Sequence, residues 1–416
     1  MSLRATWRRP VELASKLFGS TVLAQLAVMG ATAFAAARLS PGDFAWYGAM
    51  SGAVWIAGSF NSLAVEHRLG VVSEPVYHSL LRAGLTSVSV VSVACFLGAI
   101  GGSALGEVWG PMGFLVGVAA FGLGLQQLLT ASILRQQRQG VLARGRLIQG
   151  VTNAVLIVAS VFTPVPGYLG LSLAWAASIF FGLVPLIFAA DFRIRGLGRP
   201  RGSDFTQLWR EVKLLPVSQA MAGSVASLPL IVLPGLGNDS ISGAWALVSR
   251  FLTPMVNTAY TTLQPLYYGG AAEILREDRR EEFKRFHARW VALLFVGSLP
   301  VLAFFVVCIQ WLIPLLGDSW DVAKLVVVPG CVYFTSGFIC LPISHTLVLL
   351  GRVNAQFWWT AVRCLLCLTP FLAVGTLGAG GALLWWAIAA AATFFAQIVM
   401  HRQALASPGA AASSAA

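Results

Sequence analysis

The sequence has few charged residues and no polar segment long enough to fold by itself. Only 11% of its 416 residues are charged, compared with about 25% in soluble globular proteins. The longest polar connections, 191–210 and 271–289, are shorter than the roughly 40 residues below which a domain usually needs staples or partners. These absences exclude a soluble catalytic domain within this sequence.

Motifs for ATP hydrolysis and for metal binding are also missing. No GxxxxGK[ST] string occurs, which argues against a phosphate-binding loop. The six cysteines all lie in apolar segments, so we interpret them as small packing residues despite the CLLC spacing of Cys364 and Cys367. We therefore predict no catalytic residue, no metal site and no cofactor.

Apolar residues are abundant, at 57% of the chain with a mean hydropathy of +0.77. Apolar segments of about 20 residues recur, and each could cross a hydrocarbon core of about 30 Å as a helix. The sequence thus predicts an all-α polytopic membrane protein with about twelve transmembrane helices. The predicted spans are 17–37, 44–64, 83–103, 111–134, 147–163, 168–190, 213–234, 241–262, 290–310, 323–347, 356–376 and 380–400.

The distribution of basic residues predicts the orientation of these spans, because cytoplasmic loops collect Lys and Arg. All but four of the 28 Lys and Arg residues fall in the terminal segments or in alternate connections and the helix ends beside them. The exceptions are Arg38, Arg250, Lys324 and Arg363. Both termini are therefore predicted to be cytoplasmic. The net charge of +12 suits anionic lipid headgroups, and we expect no nucleic-acid partner.

A weak internal repeat suggests two lobes of six helices. Shifting the chain by 196 residues places Asp43 on Asp239 and Asn61 on Asn257. The predicted lobes are 1–200, which includes a basic cytoplasmic linker from 191, and 201–404. Residues 405–416 are predicted to be a disordered tail. Parallel repeats of this kind suit a secondary transporter, with its substrate path in a central cavity between the lobes.

One arginine lies deep in an apolar span, in the string GAWALVSRFLTPMV. Arg250 lies about 14 Å from Ile241 along a helix, and no Asp or Glu lies at comparable depth in any predicted span. Such a cation must face water, backbone carbonyls or an anionic ligand. Pro254 cannot donate to the Arg250 carbonyl, which favours a bend lining a cavity. The alternative is a structural arginine bonded to carbonyls of a neighbouring helix.

Other polar residues in apolar segments are weaker candidates. Arg363 lies about 10 Å from Gln356 and could bind substrate or reach the inner headgroups. His345 could be a proton-sensitive group or an acyltransferase histidine, although a packing role is the simpler interpretation. We expect Asn61 to hydrogen-bond between helices. The mixed-charge string 273–289 is typical of a solvated helix face, although it could dock a cytoplasmic glycosyltransferase.

The opening string KLFGSTVLAQLAVMGATAFAAARLSPGDFAWYGAMSG resembles that of oligosaccharide flippases. Their family is the polysaccharide-transporter (Wzx-like) branch of the multidrug/oligosaccharidyl-lipid/polysaccharide (MOP) exporter superfamily. Further similar strings are LRQQRQGVLARGRLIQ, WALVSRFLTP, GDSWDVA and LGRVNAQFWWTAVR. The resemblance covers the chain almost from end to end.

The resemblance implies a transporter without enzymatic activity in the bacterial inner membrane. Its substrate would be a polyprenyl-diphosphate-linked glycan, moved by alternating access to the outer leaflet for surface polysaccharide or exopolysaccharide. Polysaccharide-assembly proteins are further candidate partners. In this interpretation Arg250 and Arg363 bind the diphosphate, since guanidinium groups bind phosphate oxygens bidentately, and Pro254 and Pro216 are hinges.

Two other function classes remain open. A small-molecule or drug exporter could have the same architecture, although coupling to a cation usually needs carboxylates within the membrane. A membrane-embedded polysaccharide polymerase or acyltransferase would more often show a sizeable outer loop or a well-placed catalytic group.

Overall fold

The computed structural model describes residues 3–69, 72–103, 109–136, 138–189, 201–212, 214–277 and 279–406. All regular secondary structure in these residues is helical. Twelve long helices, numbered here α1 to α12, follow the order of the predicted spans. They are α1 Leu3–Ala36, α2 Pro41–Asn61, α3 Glu74–Ser103, α4 Trp109–Arg135, α5 Gln139–Ser160, α6 Gly167–Ala189, α7 Leu215–Gly235, α8 Asp239–Arg276, α9 Arg280–Leu316, α10 Lys324–Cys340, α11 Val353–Leu372 and α12 Val374–Ala406.

Short helices lie between the long ones: Glu66–Leu69, Gly202–Val212 and Thr346–Leu349, with 3₁₀ turns at Asp318–Ala323 and Leu341–Ile343. Eight helical segments of the described chain are long and apolar enough to cross a membrane, and Thr21–Ala36 is a shorter apolar segment. The predicted all-α polytopic fold is confirmed, and the helix order is consistent with a twelve-helix, two-lobe plan.

The start of α2 shows how the string RLSPGDF folds. Ser40 Oγ accepts a hydrogen bond from the Asp43 amide at 3.2 Å, and Asp43 Oδ2 accepts one from the Ser40 amide at 3.1 Å. Pro41 occupies the first turn, where a helix needs no amide donor. Asp43 Oδ1 also accepts from the Tyr168 amide at 3.1 Å. This acidic residue therefore fixes the start of α2 against α6.

Contacts group the chain into two compact units, Met1–Leu247 and Val248–Ala416, so the division falls within α8. Unit 1 includes α7 because α7 packs along α2. Gly52 faces the side chains of Leu230 and Ile231. The Gly243 backbone lies so close to the Pro41 carbonyl that a Cβ would overlap it.

The predicted lobe limits, 1–200 and 201–404, stay a prediction. The central part of the basic linker, 190–200, lies outside the described residues. At the C-terminus α12 continues to Ala406, so Leu405 and Ala406 are helical rather than part of the predicted tail. The rest of that tail, 407–416, also lies outside the described residues.

A largely buried ion pair attaches the helix Gly202–Val212 to α3 in unit 1. Arg82 donates from Nε and from Nη2 to the two carboxylate oxygens of Asp204, each at 2.8 Å. Ser79 Oγ donates to the same carboxylate at 2.7 Å. The Arg82 guanidinium, followed by Ser79 and the Arg201 amide, holds the pKa of Asp204 far below its usual range, although burial opposes this shift.

Unit 2 is packed largely by aromatic rings. Tyr333 of α10 lies 4.4 Å from Trp386 of α12 between ring centres, and Tyr267 of α8 stacks on Phe286 of α9 at 5.6 Å. Gly378 interrupts α12 with a φ of 67°, a backbone conformation that glycine adopts without steric cost. The regular part of α12 therefore begins close to the predicted span start at 380.

The string 273–289 forms the end of α8 and the start of α9. Arg279 pairs with Glu277 at 2.7 Å and also with Glu282, and Lys284 pairs with Glu281. These side chains are largely exposed, which confirms the predicted solvated face. Docking of a glycosyltransferase stays a prediction.

Candidate functional site

Helix α8 carries the first candidate, Arg250. It lies eleven residues after Asp239, about 16 Å along a helix of 38 residues. Its side chain is half-buried. The helix is assigned without a break through Pro254, whose ring has no amide hydrogen to donate. Arg250 is thus placed about a third of the way along α8, one turn before a proline.

The second candidate, Arg363, lies at the centre of α11. It is ten residues after Val353, about 15 Å along a helix that begins three residues before the predicted span. Its guanidinium carbon lies 3.7 Å from the ring centre of Phe394 on α12. Arg363 therefore bridges α11 and α12 in unit 2.

The Arg363 side chain is buried, with an exposed fraction of 8%. Its Nε has no hydrogen-bond partner within the described chain. A buried, charged donor without an acceptor is costly. An anionic oxygen of a ligand could satisfy this donor, as could a conformational change.

The two hinge candidates lie in different units and in different helix positions. Pro254 is in the interior of α8, where proline removes a backbone hydrogen bond. Pro216 is buried in the first turn of α7, where no such bond is lost. The interior prolines of α7 are instead Pro229 and Pro234. The hinge roles of Pro216 and Pro254 stay predictions.

His345 lies in a network of neutral side chains. Its Nδ1 lies 3.0 Å from Ser344 Oγ and 3.3 Å from Gln264 Nε2. Gln397 Nε2 donates to the Ser344 carbonyl at 2.6 Å. These contacts support the packing interpretation, since they give His345 polar partners of its own.

The structure confirms the interhelical role expected of Asn61, whose buried amide donates to the Ala120 carbonyl of α4. Cysteines whose side chains are described are free thiols. Within the described ranges, no three His, Cys, Asp or Glu side chains are grouped as metal ligands.

Sequence reasoning missed a buried polar cluster in unit 2 that contains Tyr267, His287, Thr346 and His401. Tyr267 Oη lies 2.8 Å from His287 Nδ1 and 3.0 Å from Thr346 Oγ1. The ring of His401 lies 5.4 Å from that of His287. Three of these residues are far apart in sequence, and His287 lies in a string that looks solvated, so no local pattern indicated the cluster.

The sequence matches no protein-family model and no curated protein. Solved structures with similar folds include a MATE-family multidrug transporter of the MOP superfamily in an inward-facing conformation. That match has a TM-score of 0.67 at 14% identity, over 92% of this chain and 94% of the other. The fold is that of the MATE transporters.

Two further MATE-fold structures show the same likeness. A MOP superfamily transporter from Pyrococcus furiosus Vc1 matches with a TM-score of 0.66 at 13% identity, over 95% of each chain. A mutant of the Vibrio cholerae MATE transporter VcmN matches with a TM-score of 0.61 at 16% identity, over 95% of this chain and 98% of the other. The predicted MOP superfamily architecture is therefore confirmed as a fold.

Proposed function

We propose that this MATE-fold protein is a membrane transporter that flips a lipid-diphosphate-linked oligosaccharide from the cytoplasmic to the outer leaflet. The observation that carries the proposal is the position of two arginines in unit 2: Arg250 lies about a third of the way along α8, and Arg363 lies at the centre of α11. All 16 Asp and Glu residues lie outside the predicted spans. Cationic groups without carboxylates at the same depth fit a dianionic headgroup.

The contacts of Arg363 support a phosphate ligand. Its buried Nε can donate to an anionic oxygen while its guanidinium face stays on Phe394. Arginine forms shorter and stronger hydrogen bonds to phosphate than to neutral acceptors. The diphosphate would therefore compensate a charge that the protein itself leaves partly unsatisfied.

A structural neighbour supports the view that charge, rather than fold, selects the substrate. The Pyrococcus furiosus transporter is described as having a binding pocket of reverse polarity, which suggests a different function for it. Since one fold can host different functions through its site residues, the arginines of this chain favour an anionic substrate over the cations that drug exporters move.

The cellular setting follows from the same proposal. The protein lies in the bacterial inner membrane with both termini cytoplasmic, as the basic connections predict. It works by alternating access and without chemistry, and its partners are the polyprenyl-diphosphate-linked glycan, the bilayer and polysaccharide-assembly proteins. A drug exporter of the same fold is the second candidate, and a polymerase or acyltransferase is disfavoured because His345 is held by packing contacts.

Reconstitution tests the substrate class. Proteoliposomes would contain either a fluorescent polyprenyl-diphosphate oligosaccharide or a cationic dye, and the flipped or exported fraction would be measured with an impermeant quencher. We expect protein-dependent flipping of the diphosphate lipid and no dye export. Dye export driven by an ion gradient, without lipid flipping, would select the exporter and reject the proposal.

A further inference from the structure

The inner end of unit 2, as the basic connections orient it, contains the buried cluster of Tyr267, His287, Thr346 and His401. The four side chains come from α8, α9, the short helix Thr346–Leu349 and α12. Each has an exposed fraction of at most 1%. The cluster therefore joins four separate segments at a place that water does not reach in this conformation.

The hydrogen bonds of the cluster fix the proton positions. Thr346 Oγ1 lies 2.6 Å from the Ile343 carbonyl, which can only accept, so the threonine donates there. Tyr267 must then donate to Thr346 Oγ1, because the one hydroxyl proton of the threonine is already used. His287 Nδ1 must in turn carry a proton and donate to Tyr267 Oη.

This order of donors leaves Nε2 of neutral His287 as a bare acceptor. Nε2 has no hydrogen-bond partner within the described residues, and the same holds for both ring nitrogens of His401. The two rings are 5.4 Å apart and nearly perpendicular, at 73°. Buried polar atoms without partners are rare and call for an explanation.

The surroundings of the pair do not suit a metal ion. No third His, Cys, Asp or Glu completes a ligand group in the described ranges. Arg402 on α12 opposes a positive charge at His287, and His287 and then His345 oppose one at His401. Tyr267 contacts His287 directly, and Tyr268 packs against Tyr267.

We propose that His287 and His401 form a proton-binding site, which holds the inner end of unit 2 closed while both rings are neutral and opens it when a proton binds. A proton on either ring would be a buried charge, and no carboxylate of the described residues forms an ion pair with either ring. Hydration after opening removes this cost. Protonation therefore favours the open form, whatever substrate the protein carries.

The sign of the pH effect follows from linkage. The open form, with hydrated histidines, binds protons near pH 6.5 as free histidine does, whereas the closed form does not. The closed form is thus fully favoured above about pH 6.5 and weakens below it. Each bound proton should change the closed-to-open ratio by about tenfold per pH unit.

Hydrogen–deuterium exchange of the purified protein in lipid nanodiscs tests whether acid opens the inner end of unit 2. The reporter segments are 341–352 and 396–406, with exchange rates corrected at each pH by unstructured peptides of the same sequence. We expect protection of both segments to fall about fivefold between pH 6.5 and 5.5 if one proton binds, and about thirtyfold if two bind, because the slope of tenfold per pH unit is reached only well below pH 6.5. Protection that is constant or rises on acidification would overturn the proposal.

Matched variants show which histidines are responsible for the pH response. His401→Phe keeps an aromatic ring but cannot titrate, and His287→Gln keeps a donor for Tyr267, so both should remove the pH response. His78→Gln changes an exposed histidine of unit 1 and should leave it intact. A response that persists in folded His401→Phe, or that is lost only in His345→Gln, would contradict the site. If both cluster variants fail to fold, a wild-type response that begins outside about pH 5 to 7.5 would still reject a histidine.

Discussion

In unit 1, Arg82 meets Asp204 through two hydrogen bonds of 2.8 Å, whereas in unit 2 Arg363 lies over the ring of Phe394 and its Nε has no acceptor within the described chain. Both are largely buried arginines of one protein. The first is compensated by the protein's own carboxylate and so has a structural role. The second retains binding capacity, which is what a site for an anionic ligand requires.

The two units also differ in how their helices approach each other. In unit 1, α7 and the start of α8 come close to α2 through glycines such as Gly52 and Gly243. In unit 2, aromatic rings such as Tyr267, Phe286 and Tyr333 fill the space between helices. Close backbone contacts of this kind need small residues at the helix interface, whereas large rings keep the helix backbones further apart.

Breaking the ion pair of unit 1 should have the largest effect on the protein. Asp204→Ala removes the carboxylate that pairs with the largely buried Arg82, and removing one partner of a buried pair typically costs about 3–5 kcal/mol. We expect a marked loss of thermal stability, measured as the fraction of monodisperse protein after heating in detergent. Thr206→Ala, at an exposed position of the same helix, is the control. Equal melting of the Asp204→Ala variant and the wild type would show that the pair contributes little.

The same pair predicts an acid sensitivity. Because the Arg82 guanidinium holds the pKa of Asp204 below its unfolded value of about 3.9, the pair stabilises the fold above about pH 4. That contribution should be lost as the pH falls further, towards the folded-state pKa. The Asp204→Ala variant should lose less stability than the wild type as the pH falls below about 4. An equal loss in both proteins would show that the Arg82–Asp204 pair does not cause the acid sensitivity.

Replacing Arg363 of unit 2 should reduce transport more than it reduces folding. Arg363→Ala deletes a charge-assisted contact worth about 1.5–3 kcal/mol, which corresponds to a transport loss of about 10 to 150-fold. Arg363→Lys should retain part of the activity, because it keeps the charge but loses the planar geometry. A drop in membrane abundance with normal transport per molecule would instead make Arg363 a structural residue like Arg82.

Enlarging a glycine of unit 1 should have a smaller effect. Gly243→Ala places a methyl group against the Pro41 carbonyl, and overpacking of this kind costs about 1–3 kcal/mol. Gly269 lies on the same helix, and a Cβ there would meet nothing within 4 Å. Gly269→Ala should therefore leave the melting temperature unchanged. Equal melting temperatures for the two variants would show that α8 and α2 are not tightly apposed.

The helices were predictable from sequence because membrane spans need long apolar segments, and the described helices follow the twelve predicted spans in order. The capping residue Ser40 and the interhelical Asn61 were also within reach of local patterns. The compact units were harder to predict. The sequence does not show that Gly243 approaches Pro41, because the two residues are far apart in the chain. This contact, with the packing of α7 on α2, places the start of α8 in unit 1.

The two candidate arginines could be named from the sequence, because an arginine within an apolar span is visible there, and their role as a site stays a prediction. The stacking of Arg363 on Phe394 was not visible, because it depends on which helix packs beside α11. His287 and His401 were missed, since tertiary packing buries residues that lie at polar helix ends.

Flipping in proteoliposomes that contain Arg250 variants at equal protein content tests whether Arg250 binds the diphosphate. Arg250→Ala and Arg250→Glu should reduce flipping by about 10 to 150-fold or more, and Arg250→Lys should retain part of it. Arg38→Ala removes an exposed arginine at the predicted outer face and should flip as the wild type does. Undiminished flipping by correctly folded Arg250→Ala would remove Arg250 from the site and contradict the diphosphate proposal.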